Sequence, residues 1–458
     1  MSVEEALEIV QLVIEKGSLN KVEEIVLRQC WEGKSYLEIA RDSGYEVGYV
    51  TDVGARLWQA LSKVFGKKVT KNNFPALLRQ QYIAKHIPVL AGSGANEQQQ
   101  SQASILSLLA AKQQDTAEYR DWGEAVDVAI FYGRETELAT LKQWMIHDSC
   151  RLVALLGMGG VGKTALAAKL AEQVQNSFEY LFWRSLRNAP PIEDLLRDLI
   201  QFLSHQSVEL PDNLDSQIAC LMSHLRSSRC LLVLDNYESI LRSGERAGRY
   251  CSGYEGYGKL LRRIADERHQ SCLILTSREK SVGIAVKEGK TLPVRSLHMI
   301  GLPLVEAQKI LGDKDVVGSE DESKQLIERY SGNPLALKIA ATSIRSLFGG
   351  DIRKFLDQGT VIFGDLRDLL DRQFNRLSPA EKKIMHRLVN CRDSMSFSEL
   401  RENCSGSISP QELLEALESL VCRSLIERRS TSFTQQSVVV EYLSAQVIAG
   451  LTPFPPKD

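Results

Sequence analysis

From about Ala129 the chain alternates two kinds of hydrophobic pattern. Short apolar runs, RLVALL (151–156), YLFWRSL (180–186), CLLVLD (230–235), SCLILTS (271–277) and LPVRSLHMI (292–300), are separated by stretches whose apolar residues recur every three or four positions. KTALAAKLAEQV (163–174) and PIEDLLRDLIQFL (191–203) are examples of the second kind. Continuous apolar strands alternating with amphipathic helices predict a parallel sheet with helices on both faces. After about Gly301 the strand pattern stops. Residues 302–357 read as helices, and 371–447 as helices, a short hairpin at SLIERRSTSFT and a final helix, which suits a winged helix.

Two segments break the periodicity. AGSGANEQQQSQ (91–102) is too poor in apolar residues to bury a core and reads as a linker, and TPFPPKD (452–458) is too rich in proline to continue a helix. The expected division is a small all-α domain at 1–90, a linker at 91–128 and an α/β domain at 129–301. A helical domain at 302–370 and a winged helix at 371–450 follow.

GMGGVGKT (157–164) fits G-x-x-x-x-G-K-[ST] between an apolar strand and an amphipathic helix, the context that makes the motif specific for phosphate. Gly157, Gly159, Gly160 and Gly162 allow backbone conformations in which successive N–H groups converge on an anion, and the helix start adds its positive dipole end. Lys163 supplies a cation for the β and γ phosphates, and Thr164 a hydroxyl ligand for Mg²⁺. Val161 and Ala165 belong to the same cradle. The run LLVLDNYES (231–239) closes on Asp235 at a strand's carboxyl end, where open α/β sheets bind ligands, so Asp235 is the second candidate for Mg²⁺. Arg278, ending another strand in TSR, is a candidate to reach the γ phosphate; a structural ion pair is its plainer role.

The ordered set FYGRETEL (131–138), GMGGVGKT, LLVLDN, LILTSR (273–278), GLPLVEAQKIL (301–311) and GNPLAL (332–337) resembles the NB-ARC family of signal-transducing P-loop ATPases, the STAND class. The resemblance covers about residues 129–350, with the winged helix continuing it. It implies that the segment through Gly133 and Arg134 lines adenine and ribose and that Pro334 packs on the base. It further implies that the winged helix closes over ADP in an off state, and that ATP opens the arrangement and drives self-association.

Two departures alter those implications. Asn236 stands where relatives carry a second acid, and a carboxamide accepts no proton from attacking water. Glu238 is the nearest substitute. The winged-helix histidine that contacts the ADP β phosphate in the family is also missing: the equivalent stretch reads SFTQQSVVVEYLS, leaving Gln435 or Gln436 as an uncharged donor. A site that binds nucleotide and Mg²⁺ without a general base predicts slow hydrolysis, a timer rather than a bulk catalyst.

Residues 18–65 predict three helices, the last two separated by a turn at Ser43-Gly44 and similar to a helix-turn-helix. DNA binding needs Lys or Arg at the start of the second of these helices, yet residues 46–62 offer Glu46 and Asp52 against Arg56 there. Residues 1–90 hold 12 Lys/Arg and 11 Asp/Glu, so a protein partner is favoured over DNA, with GKKVTK (66–71) the one local basic cluster.

Net charge of -2 adds no general pull toward nucleic acid or anionic membrane. The nine cysteines form no metal-binding spacing and suggest a reducing cytoplasm; no apolar stretch approaches a membrane span. The first reading is therefore a switch, ADP-bound off and ATP-bound on, relaying through an N-terminal adaptor. An ATPase that gates a DNA-binding regulator is the alternative, and a metabolic P-loop ATPase or kinase ranks last. No internal repeat is present, so the trigger is expected from a partner or from sequence outside this chain.

Overall fold

The computed structural model describes residues 10, 21–31, 34, 36–65, 69, 74 and 119–448, apart from 208, 360–361, 390–393 and 405. The glutamine-rich stretch at 91–102, most of the basic cluster at 66–71 and the proline-rich end lie outside the described residues. The chain divides into two compact units, Met1–Leu108 and Leu109–Asp458.

In the first unit, α1 (Lys21–Trp31), α2 (Tyr36–Ser43) and α3 (Val47–Phe65) appear where the periodicity predicts three helices. Val26, Leu27, Ile39, Val53, Leu57 and Leu61 form their common core, and the Trp58 indole donates to the Tyr36 hydroxyl at 2.6 Å. Tyr45, Val47 and Tyr49 stand exposed at the start of α3.

The second unit is built on a six-stranded, all-parallel sheet of β1 (Arg120–Asp121), β2 (Leu152–Leu156), β3 (Tyr180–Ser185), β4 (Cys230–Asp235), β5 (Cys272–Ser277) and β6 (Val294–His298), in the order β1-β3-β4-β5-β2-β6. Strands β2, β4 and β5 are buried at every residue, as a strand covered on both faces requires. Along β2, Leu152, Ala154 and Leu156 face α6 (Ile192–Leu203), α7 (Leu214–Ser227) and α8 (Glu255–Asp266). Val153 and Leu155 face the core shared with α4 (Glu135–Lys142) and α5 (Lys163–Val174). The expected strands are all present. Strand β1, however, lies inside 91–128, so the sheet begins within residues read as linker. It holds no apolar residue to mark it; its ladder with β3 and the Arg120 guanidinium on the carbonyls of Gln175, Phe178 and Glu179 fix it.

Helices α9 (Leu304–Gly312), α10 (Glu320–Arg329), α11 (Pro334–Phe348), α12 (Ile352–Leu356) and α13 (Gly364–Phe374) follow. Next come α14 (Pro379–Val389), β7 (Met395–Ser396), α15 (Phe397–Asn403), α16 (Pro410–Cys422), the hairpin β8 (Ile426–Arg429) and β9 (Ser432–Gln435), and α17 (Ser437–Ile448). The three strands pair antiparallel in the order β7-β9-β8. One apolar cluster runs from Leu302 to Leu443 through Leu366, Leu369, Leu370 and Phe374 of α13. Helix α13 thus crosses the expected boundary at 370, and the segments on either side of it share a core.

Candidate functional site

Strand order decides what meets the P-loop. Because β5 lies between β2 and β4, its carboxyl end, Thr276-Ser277-Arg278, sits between the P-loop and Asp235. In the loop, Gly160 (φ 81°) and Gly162 (φ 99°) occupy the left-handed region, and a Cβ at Gly160 would come within 2.7 Å of Leu335 Cβ. Lys163 opens α5 and is only 8% exposed; its ammonium donates to the carbonyls of Gly157 (2.7 Å) and Met158 (3.0 Å). Burial pulls its pKa down to about 8, against the upward influence of Glu238. Val161 is buried in the loop, and Ala165 packs on the core beneath the first turn of α5.

Thr164 Oγ1 donates to Asp235 Oδ1 at 2.8 Å, and Thr276 Oγ1 donates to the same oxygen at 2.5 Å. Asp235 is buried, and desolvation raises its pKa in spite of these two hydrogen bonds. A desolvated carboxylate beside a threonine hydroxyl is a donor set that suits a hard divalent cation. Asn236 follows in the left-handed region (φ 59°), its N–H donating to Thr276 Oγ1 at 3.1 Å.

Glu238 is tied down. Its two carboxylate oxygens take Nε and the backbone N–H of Arg278, each at 3.1 Å. Arg278 in turn lies over the P-loop, its Cζ 3.3 Å from where a Cβ on Gly159 would stand.

The far wall of the loop comes from the helices. Asn333, 1% exposed, donates through Nδ2 to the Gly159 carbonyl (2.9 Å), while its Oδ1 caps α11 by accepting from Leu335 and Ala336. Pro334 is the half-buried first residue of that helix. From α13, Gln373 accepts the Gly159 N–H through Oε1 at 3.3 Å. Gly133 and Arg134 both have positive φ. The buried Arg134 guanidinium donates to the carbonyls of Val161 (3.2 Å) and Ile300 (2.7 Å) and pairs with Glu137, which pins the loop to the end of β6.

Next to Arg278, the buried Glu279 receives Arg376 Nε at 2.6 Å and Arg423 Nη1. Arg423 also donates to Glu381 at 3.0 Å, and Arg376 to the Glu238 carbonyl at 3.1 Å. The strand end that touches the P-loop is therefore bolted to the helical segments.

Most of the expected residues converge here. Gln435 and Gln436 do not: Gln435 donates to the Met385 carbonyl (2.8 Å) and Gln436 to Glu427 (3.2 Å). Both line a separate cleft of about 950 Å³ with Ile300, Leu302, Ser331 and Gly332, whose lining includes no P-loop residue. Residues the sequence reading passed over are Asn333, Thr276, Gln373 and the Glu279 network. Asn-Pro before a helix and the Thr of TSR were visible signals for the first two; the others had none.

Parts of the chain are similar to known domains and proteins. Residues 134–246 match the model of the NB-ARC domain, and residues 1–81 that of the vWA-MoxR associated protein N-terminal HTH. An uncharacterized WD repeat-containing protein of Nostoc sp. is 53% identical over 72% of this chain and 27% of its own length. Regulatory protein AfsR of Streptomyces coelicolor is 24% identical over 60% of this chain and 27% of its own. The chain thus spans about a quarter of the length of either relative. A STAND protein with a tetratricopeptide repeat sensor from Pyrococcus horikoshii aligns over 70% of this chain and 44% of its own, at 17% identity and a TM-score of 0.38. With its P-loop and its parallel sheet, the chain carries an NB-ARC domain and an N-terminal helix-turn-helix-type domain.

Proposed function

We propose that this chain is a nucleotide-controlled switch, closed on ADP and opened by ATP, that hydrolyses ATP slowly and signals through its N-terminal domain. The observation that carries the reading is the adjacency of Arg278, at the P-loop, and Glu279, in the buried ionic network. A change in how Arg278 is held is passed to the next residue and so to Arg376 and Arg423.

In this reading Gly157 to Ala165 cradle the phosphates, Lys163 neutralises them, and Thr164 and Asp235 hold Mg²⁺. Bound Mg²⁺ supplies screening of the phosphate charge. Gly133, Arg134 and Pro334 frame the base and ribose side. Hydrolysis is slow because Asn236 accepts no proton and both oxygens of Glu238 are engaged by Arg278. The final helices and hairpin act as the winged helix of the closed form, and opening exposes surfaces for self-association.

The N-terminal domain is read as a protein adaptor in the cytoplasm, since Tyr45, Val47 and Tyr49 rather than cations are exposed at the start of α3. The regulatory names of some relatives, such as a putative HTH-type transcriptional regulator of Mycobacterium bovis, favour a second reading in which the ATPase gates DNA binding. Duplex binding that falls steeply with salt would select that second reading.

A thermal melt tests the main proposal. ADP at about a thousand times its dissociation constant stabilises the fold by about 4 kcal/mol, and Lys163→Ala abolishes the effect. A wild-type melt unmoved by ADP overturns it.

A further inference from the structure

Gln373 is 4% exposed and reaches the P-loop from a helix 214 residues away in sequence. Its Oε1 accepts the Gly159 N–H, and its Nε2, also buried, has no hydrogen-bond partner among the described residues. A buried amide donor left unpaired is costly, and the cost is relieved by an acceptor at that spot. The position is one where an acceptor is expected, because Gln373 bonds the same P-loop glycine that the Arg278 guanidinium approaches: Arg278 Cζ and Leu369 Cδ1 lie 3.3 and 3.2 Å from where a Cβ on Gly159 would stand.

We propose that Gln373 is a nucleotide-contacting residue that selects the diphosphate over the triphosphate; the assignment rests on the nucleotide reading above. Its Nε2 donates to an oxygen of the terminal phosphate of a nucleoside diphosphate. Its Oε1 at the same time holds the N–H of Gly159, the glycine that Arg278 overlies. A third phosphate directed at Arg278 meets that carboxamide oxygen, lone pair against anionic oxygen, and competes for the same N–H. Gln373 must then withdraw, and α13 with it. Arg376, two residues beyond the end of α13, is the cation that bonds Glu279 and the Glu238 carbonyl. The same side chain that discriminates the nucleotide is thereby mounted on the element that bolts the closed arrangement.

Titration calorimetry with ADP and with a non-hydrolysable ATP analogue tests this on the full chain. Gln373→Met and Gln373→Leu, two apolar side chains of different shape, guard against a packing defect in either one. The expected result is ADP affinity lowered roughly tenfold or more, as for a lost hydrogen bond to a charged group, with analogue affinity unchanged or improved. Equal losses for both nucleotides, or no loss for either, overturn the assignment and leave the switch reading standing. A wild-type protein that binds neither nucleotide overturns both.

Discussion

Arg423 donates through Nη1 to Glu279, and both side chains are 2% exposed although they lie 144 residues apart. Arg423 is further bound to Glu381 and to the Glu245 carbonyl at 2.5 Å. Two ions removed from water this completely hold only while each keeps its partners.

Removing the cation alone should therefore be severe. Arg423→Met leaves the buried Glu381 without a cation and Glu279 with Arg376 alone, and is expected to cost about 3–5 kcal/mol in urea unfolding followed by tryptophan fluorescence. Adding Glu381→Leu to it should recover part of the loss, because Glu279 keeps Arg376 and no buried carboxylate is then left without a cation. A single-variant loss below about 1 kcal/mol, in the range of exposed pairs, would contradict the burial argument.

Lys163 makes a pH-dependent prediction. Burial lowers its pKa to about 8 from an ordinary value of 10.5. Between those values the unfolded chain binds the proton that the folded chain releases, so this group's contribution to stability rises as pH climbs from 8 toward 10.5. Nucleotide binding has the opposite sign, since the phosphates need the ammonium. Affinity should fall above about pH 8 with uptake of up to one proton per nucleotide, seen by calorimetry in buffers of different ionisation enthalpy. Binding that is level from pH 7 to 9.5 would contradict the lowered Lys163 pKa.

The parts legible in sequence were those written in contiguous residues. Glycines, Lys163 and Thr164 adjoin one another, and Asp235 and Arg278 each end an aliphatic run, so strand order alone brings them together. Gln373 and Arg423 were not legible: one is a polar position on an amphipathic helix and the other the residue that follows one, and the partners of both are fixed by how distant segments pack. Glutamines 435 and 436 were drawn to the phosphates by analogy with a missing histidine, yet the turn into α17 directs them to Met385 and Glu427. Strand β1, two polar residues long, carries no periodicity to read.

Hydrolysis should report the same local chemistry. Turnover is expected well below about one per second, since proton abstraction by a positioned base contributes some 10²–10⁴-fold and Asn236 lacks it. Asn236→Asp should raise the rate. Glu238→Gln should lower it only where Glu238 acts as the base, and should also weaken its ionic hold on Arg278. Fast wild-type turnover that is indifferent to Glu238→Gln would refute the timer.

The coupling of nucleotide to closure is tested most directly by hydrogen exchange at three amides that donate across the boundary between the sheet domain and the helical segments. These are Gly244 to the Arg376 carbonyl (2.8 Å), Lys280 to the Cys422 carbonyl (2.9 Å) and Ala247 to Ser419 Oγ (2.7 Å). With ADP all three should be protected, and with a non-hydrolysable ATP analogue they should exchange faster together while amides within β2 and β4 keep their protection. Equal protection of the three amides in both nucleotides would contradict the switch.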